Sequence, residues 1–183
     1  KNTFNPDHDG SVIVDNVEEN STTGGAIKAV TAIKDLRLIT IEGKGMMGVP
    51  GIAARTFGAA AKHDASVLLI SQASSEQSIC FATPAGYGQT TVDALEAEFA
   101  EEIKSRDIDR VSVMNPVSIV TIVGAGMRGT KAIAGRAFTA LTPINIIAIA
   151  QGSSECSISL VIDEAQTQQA VQLLHDLIIS DFS

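Results

Sequence analysis

Apolar and polar positions along this chain fall into short blocks, and the blocks come in the same order twice. Residues 36–42 (Leu-Arg-Leu-Ile-Thr-Ile-Glu) form an apolar run of strand length. After a glycine turn at 43–48, Ile52, Ala53, Phe57, Ala60 and Ala61 recur at helical spacing and predict a helix with one apolar face. Pro50 suits its first turn, where a missing N–H costs nothing. Residues 66–71 and 78–83 predict two more strands. Thr90 and Asp93 have the form of a capping box. Val92, Leu95, Phe99 and Ile103 then continue a second helix along one face, and residues 110–115 predict a fourth strand. The order is βαββαβ.

The second series follows at once. Residues 117–123 predict a strand, Ile133, Ala134, Ala137, Phe138 and Leu141 a helical face, and 144–150 and 156–162 two strands. A last helix from about 164 turns Val171, Leu174, Leu177 and Ile178 inward. This order is βαββα, one strand short. Residues 26–33, small or β-branched, form a strand with no obvious neighbour and are expected to close the second sheet. The expectation is therefore an α+β chain of two ferredoxin-like βαββαβ units, the first (36–115) inserted into the second (26–35 plus 116–183). Residues 1–25 are polar and turn-rich, expected to be a linker or the end of a preceding domain, with a short strand candidate at 11–14.

The duplication shows residue by residue. Gly43, Met46, Gly48, Ile52, Ala53, Arg55 and Phe57 match Gly124, Met127, Gly129, Ile133, Ala134, Arg136 and Phe138 at an offset of 81. Gln72, Ser74, Ser75, Glu76, Ser78 and Ile79 match Gln151, Ser153, Ser154, Glu155, Ser157 and Ile158 at an offset of 79. A period this long marks a duplicated small domain, not a solenoid.

Each copy also carries the G-x-G-x-x-G spacing of a dinucleotide-binding turn. A nucleotide-binding Rossmann unit, however, requires βαβαβ order and an acidic residue about 20 residues past the glycines. Here the second strand ends in Ser71-Gln72, and the third starts too soon after it for a parallel crossover. The two must form an antiparallel hairpin, as in split βαβ folds.

Composition removes other classes. The net charge is −8, with no Trp, one Tyr and six Phe. An RNA-binding sheet needs basic residues and a stacking platform, and Phe81 is the sole candidate for one. The paired serines lack a G-x-S-x-G setting and a histidine partner, and no kinase-type or P-loop glycine loop is present. His8, between Asp7 and Asp9, has no further ligand cluster. His63 and His175 fall on predicted helices. Cys80 and Cys156 sit in apolar strand runs without C-x-x-C spacing and read as reduced, buried thiols. Nowhere do 18 apolar residues run together, and the N-terminal residues show no apolar signal core.

Gly43-x-Gly45-Met46, the helix with Ala53 and Phe57, and above all Ile70-Ser-Gln-Ala-Ser-Ser-Glu76 with Ile149-Ala-Gln-Gly-Ser-Ser-Glu155 resemble the tandem ACT domains of aspartate kinases. The resemblance covers residues 26–180, and Asn2-Thr-Phe-Asn-Pro6 is similar to the end of that family's kinase domain. It implies a cytoplasmic regulatory region without catalytic residues, metal or cofactor of its own. ATP and magnesium would belong to an upstream kinase domain. No nucleic-acid or membrane partner is expected. ACT units of this family pair within and between subunits, implying a homodimer, and an amino-acid end product binds at their interfaces to give feedback inhibition. By resemblance, the pockets involve Met46, Met47, Gly51, Ile52, Ala53, Val67, Leu68 and Gln72 in the first copy. In the second they involve Met127, Ile133, Ala134, Ile146, Ile147 and Gln151. Free N–H groups at a helix start suit the effector carboxylate. Lysine-sensitive members tend to carry an acidic residue at the position of Leu68. The uncharged Leu68 and Ile147, with glutamine amides suited to a hydroxyl, favour threonine, with lysine or joint control as the alternative.

Overall fold

Two strands are longer than the hydrophobic pattern marks, and they organise the molecule. In the computed structural model, which describes residues 27–124, 131–152 and 157–181, the predicted strands at 26–33 and 36–42 are one strand, β1 (Ile27–Glu42). The strands at 110–115 and 117–123 likewise merge into β4 (Arg110–Gly124). The remaining elements are α1 (Ile52–Ala61), β2 (Leu69–Gln72), β3 (Ser78–Pro84), α2 (Gly88–Glu98), α3 (Ala100–Ser105), α4 (Ile133–Ala140), β5 (Ile146–Gln151), β6 (Ser157–Asp163) and α5 (Thr167–Asp181). The strand candidate at 11–14, the linker expected at 1–25 and His8 lie outside the described residues.

The strands form one antiparallel sheet in the order β2-β3-β1-β4-β6-β5. β1 and β4 pair along their whole length, from Ile27↔Gly124 to Glu42↔Arg110. Residues 36–42 of β1 also pair with β3, making the first strand of the first unit. Residues 27–33 lie against 119–124 and supply the strand that the second unit lacks in sequence. The first unit is thus inserted into the second.

The ribbon bends where it changes unit. Its register shifts between Ile33 and Leu36 and again between Leu36 and Leu38, and Asp35 has φ 58°. On β4 the same level holds Pro116, which has no N–H to give a ladder and is tolerated at such an irregularity. The Asp35 N–H, lost to the ladder, donates to Glu164 Oε2 at 2.6 Å, just ahead of α5.

Strand alternation then sorts the core. Ile39, Ile41, Ile79 and Phe81 face α1 and α2, and Phe81 is wholly buried there, so it is core and not a stacking platform. Ile122, Ile158, Leu160 and Ile162 face α4 and α5. The opposite faces of both units meet in a third core of Leu36, Leu38, Leu69, Ala82, Val117, Ile119, Ala148 and Val161. Folding at the bend brings β2 against β5, although they end the strand order.

Four local expectations are corrected. The second helix is broken: α2 ends at Glu98, Phe99 leaves helical geometry at φ −108°, ψ 22°, and α3 begins at Ala100. No capping box forms, because α2 starts at Gly88. Thr91 Oγ1 donates to the Tyr87 carbonyl, and Asp93 accepts from Gln89. Pro50 precedes the cap of α1, Gly51, instead of entering its first turn. Of the predicted helical faces, Ala61 and Phe138 are exposed, while Thr56 and Ala59 are buried in their stead on α1.

Gly51 caps α1 in the left-handed region at φ 91°, and its counterpart Ala132 caps α4 at φ 67°. That conformation costs an L-residue roughly 1–2 kcal/mol, against about 0.5–1 kcal/mol for the extra freedom of an unfolded glycine. Ala132→Gly should therefore raise unfolding free energy by about 0.5–1 kcal/mol in urea titration, whereas Gly51→Ala should lower it. Leu38→Ala opens the core shared by the two units and should cost about 2–4 kcal/mol in the same assay.

Candidate functional site

The first glycine turn leaves the end of β1 and is held from two sides. Gly43 N–H donates to the Gln77 carbonyl at 2.9 Å, and Gly45 N–H to the Asp107 carbonyl at 3.0 Å. A Cβ on Gly43 would stand 2.3 Å from the Asp107 oxygen, and one on Gly45 2.5 Å from Asp107 Cα. The G-x-G spacing is thus a packing requirement against the loop before β4. Met46 is buried beneath the turn, and Gly51 then starts α1 with no side chain capping its N–H groups.

Between this turn, the start of α1 and the end of β2 lies a cavity of about 310 Å³. That is the small end of the range for ligand pockets, about 300–1,000 Å³. Five of the first-copy residues singled out by sequence line it: Met46, Gly51, Ile52, Ala53 and Gln72. Three do not. Met47 is exposed, Val67 packs on the core beneath α1, and Leu68 lies before β2 with its N–H on the Ala82 carbonyl. The sequence reading also missed Gly48, Val49, Pro50, Glu76 and Ile79. Glu76 changes the chemistry, because it brings a carboxylate to the cavity, where the uncharged Leu68 gave no expectation of one. Its Oε2 accepts from Gly48 N–H at 2.9 Å, across the mouth. The recurrence of this glutamate in both Gln-x-Ser-Ser-Glu segments was the available signal.

In the second copy, Ile133 is buried and Ala134 half-buried at the start of α4, and Ile146 packs against the same core. Ile147 does not join them: next to Ile146 on the strand, it faces the opposite side and packs on the core shared by the two units. Gln151 ends β5 and is exposed. Met127 and most of the second glycine turn lie outside the described residues.

Behind α1 stands a charged cluster. Arg55 donates from Nε to Glu98 Oε1 at 2.9 Å, from Nη2 to the Glu98 carbonyl at 2.8 Å, and from Nη1 to Glu102. Its guanidinium carbon lies 4.5 Å from the centroid of the Phe99 ring. Hydrogen bonds to Glu102 and Glu98 raise the Arg55 pKa above its ordinary value, and the Arg55 hydrogen bond holds the Glu102 carboxyl below the usual range. Cys80, half-buried on β3, is a free thiol whose pKa is raised by burial. Among the described residues no cluster of His, Cys, Asp and Glu could hold a metal ion, and no helix is long and apolar enough to cross a membrane.

The family model for the ACT domain matches residues 39–99 and 120–177. Among curated relatives, the bifunctional aspartokinase/homoserine dehydrogenase of Haemophilus influenzae is 39% identical over 183 residues, 99% of this chain and 22% of the relative. A chloroplastic bifunctional enzyme of Zea mays is 38% identical over 178 residues, 96% of this chain and 19% of the relative. The chain thus spans about a fifth of the length of these relatives. The regulatory subunit of aspartate kinase from Thermus flavus superposes with a TM-score of 0.71 at 28% identity, covering 83% of this chain and 98% of that one. E. coli aspartokinase III, solved with lysine and aspartate, gives 0.65 at 26% identity, covering 88% of this chain and 34% of that one. With two family matches, one on each half of a six-stranded sheet, this chain belongs to the ACT domain family as a tandem regulatory region of the aspartate kinase type.

Proposed function

We propose that this chain is the feedback sensor of an aspartate kinase, binding an end-product amino acid in the cavity before α1 and pairing with a second copy through its ACT units. Threonine is the first choice of ligand. The observation that carries the reading is the juxtaposition of an uncapped helix start with Gln72 across a cavity of about 310 Å³. The first-turn N–H groups suit the ligand's carboxylate. The Gln72 amide can pair the hydroxyl, and apolar Ile52 and Ile79 can take the methyl. Ligand binding would favour a kinase state of low activity, with a coupling of roughly 1–3 kcal/mol shared reciprocally with substrate. ATP and magnesium would act on the kinase domain, and the protein would work in the cytoplasm.

Glu76 supports a second reading. Its carboxylate lines the cavity and could meet the ε-ammonium of lysine, which makes lysine, alone or jointly with threonine, the alternative effector.

Titration calorimetry of the chain with each amino acid separates the two. Heat with threonine and none with lysine is the expected result, and silence with both would sink the effector reading. Gln72→Ala should weaken threonine binding by about three- to tenfold, the size of one lost hydrogen bond. If lysine is the ligand, Glu76→Gln should weaken it and Gln72→Ala should matter less. Sedimentation should show a homodimer.

A further inference from the structure

We propose that Arg55 and Glu102 form a positioning brace that sets the spacing between the two walls of the cavity without touching its contents. This rests on the reading of the cavity as the effector site. One wall is the first turn of α1, closed by the Arg55 N–H on the Gly51 carbonyl at 2.9 Å. The other is the glycine turn, fixed by Gly45 N–H on the Asp107 carbonyl.

Glu102 is joined to both. Its carboxylate takes Arg55 Nη1, on the helix carrying the first wall. Its main-chain carbonyl accepts from Asp107 N–H at 2.9 Å and Ile108 N–H at 3.1 Å, in the loop that pins the second wall. A single residue therefore references both walls from behind α1. The break at Phe99 belongs to the same device. Where α2 stops, Arg55 Nη2 takes the Glu98 carbonyl, while the i→i−4 bonds on either side, Phe99 to Leu95 and Ile103 to Phe99, persist at 2.9 Å. Insertion of a side chain into the helical ladder is a recognised cause of such kinks.

The side chains of Arg55, Glu98 and Glu102 are 38%, 28% and 27% exposed, so their ion pairs add little to global stability. What the planar guanidinium fixes is geometry, since it meets two carboxylates, one carbonyl and a ring face at once. A lysine could replace only part of that set.

Arg55→Met keeps an apolar stem over Phe99 and deletes the fork. It should weaken threonine binding roughly tenfold while the melting temperature moves by only a few degrees. Arg55→Lys should fall between the two. Glu102→Gln should weaken binding less than Arg55→Met, and the double variant should bind no worse than Arg55→Met alone. Amide exchange provides a readout that needs no ligand. In Arg55→Met, exchange at the Gly45 amide should quicken at least about fivefold, with β6 amides unchanged, as for a local rather than global opening. Uniform acceleration with intact affinity would make Arg55 a merely structural residue and overturn the proposal, as would unchanged exchange and affinity. If the unaltered chain binds neither amino acid, the effector reading fails on its own, and exchange alone decides the brace.

Discussion

Both units depend on one antiparallel ribbon. β1 and β4 stay paired across their 16 and 15 residues, and each strand serves both units of the one sheet. Neither unit has its four strands without both. The ribbon also fixes where the glycine turns go: the first leaves β1 beside the Glu42↔Arg110 pair, and the second leaves β4 beside the Ile27↔Gly124 pair. Candidate sites at opposite ends of one ribbon follow from the insertion itself. An inserted domain joined by flexible linkers would carry no such constraint, because its turns could move independently.

The duplication was legible because it preserves residue types at fixed offsets, and the odd strand at 26–33 sufficed to infer the insertion. Continuity of the ribbon was not legible. Lys34-Asp35 and Pro116 fall between the strands that the sequence predicts, since Asp and Pro ordinarily end strands. In the fold they are the bend. The core shared by the two units was equally hidden. Leu38, Ala82 and Val161 look like ordinary alternating strand positions, and nothing local says that their faces meet each other instead of a helix. Only closure of the sheet onto itself, with β2 against β5, makes that face a core.

The site was half legible for a similar reason. Met46, Gly51, Ile52 and Ala53 are close in sequence, and helix periodicity places them together. Gln72 was found because it repeats. Val67 and Leu68 do not line the cavity, and both lie before β2, which begins only at Leu69. Glu76 was overlooked because a hairpin tip can aim its side chain in many directions. Its positive φ, 56°, is what turns the hairpin, and its bond to Gly48 brings the carboxylate over the cavity.

The two copies have not kept the same residue types at the positions matched to the Arg55 cluster. Arg55 has its counterpart in Arg136, and the apolar positions Val92, Leu95 and Phe99 correspond to Val171, Leu174 and Ile178. In that same register Glu98 becomes Leu177, and Glu102 becomes Asp181, one methylene shorter. The two first-copy carboxylates meet the Arg55 guanidinium, whereas the matching positions of the second copy hold one carboxylate residue type and a leucine. The caps diverge in parallel: Gly51 adopts its left-handed conformation at no steric cost, whereas Ala132 adopts it against the preference of an L-residue. The first helix start is thus relaxed at its cap, and the second adopts a conformation that costs an L-residue. From one duplicated pattern, a single glycine-to-alanine difference at the cap has set the two helix starts at different backbone costs.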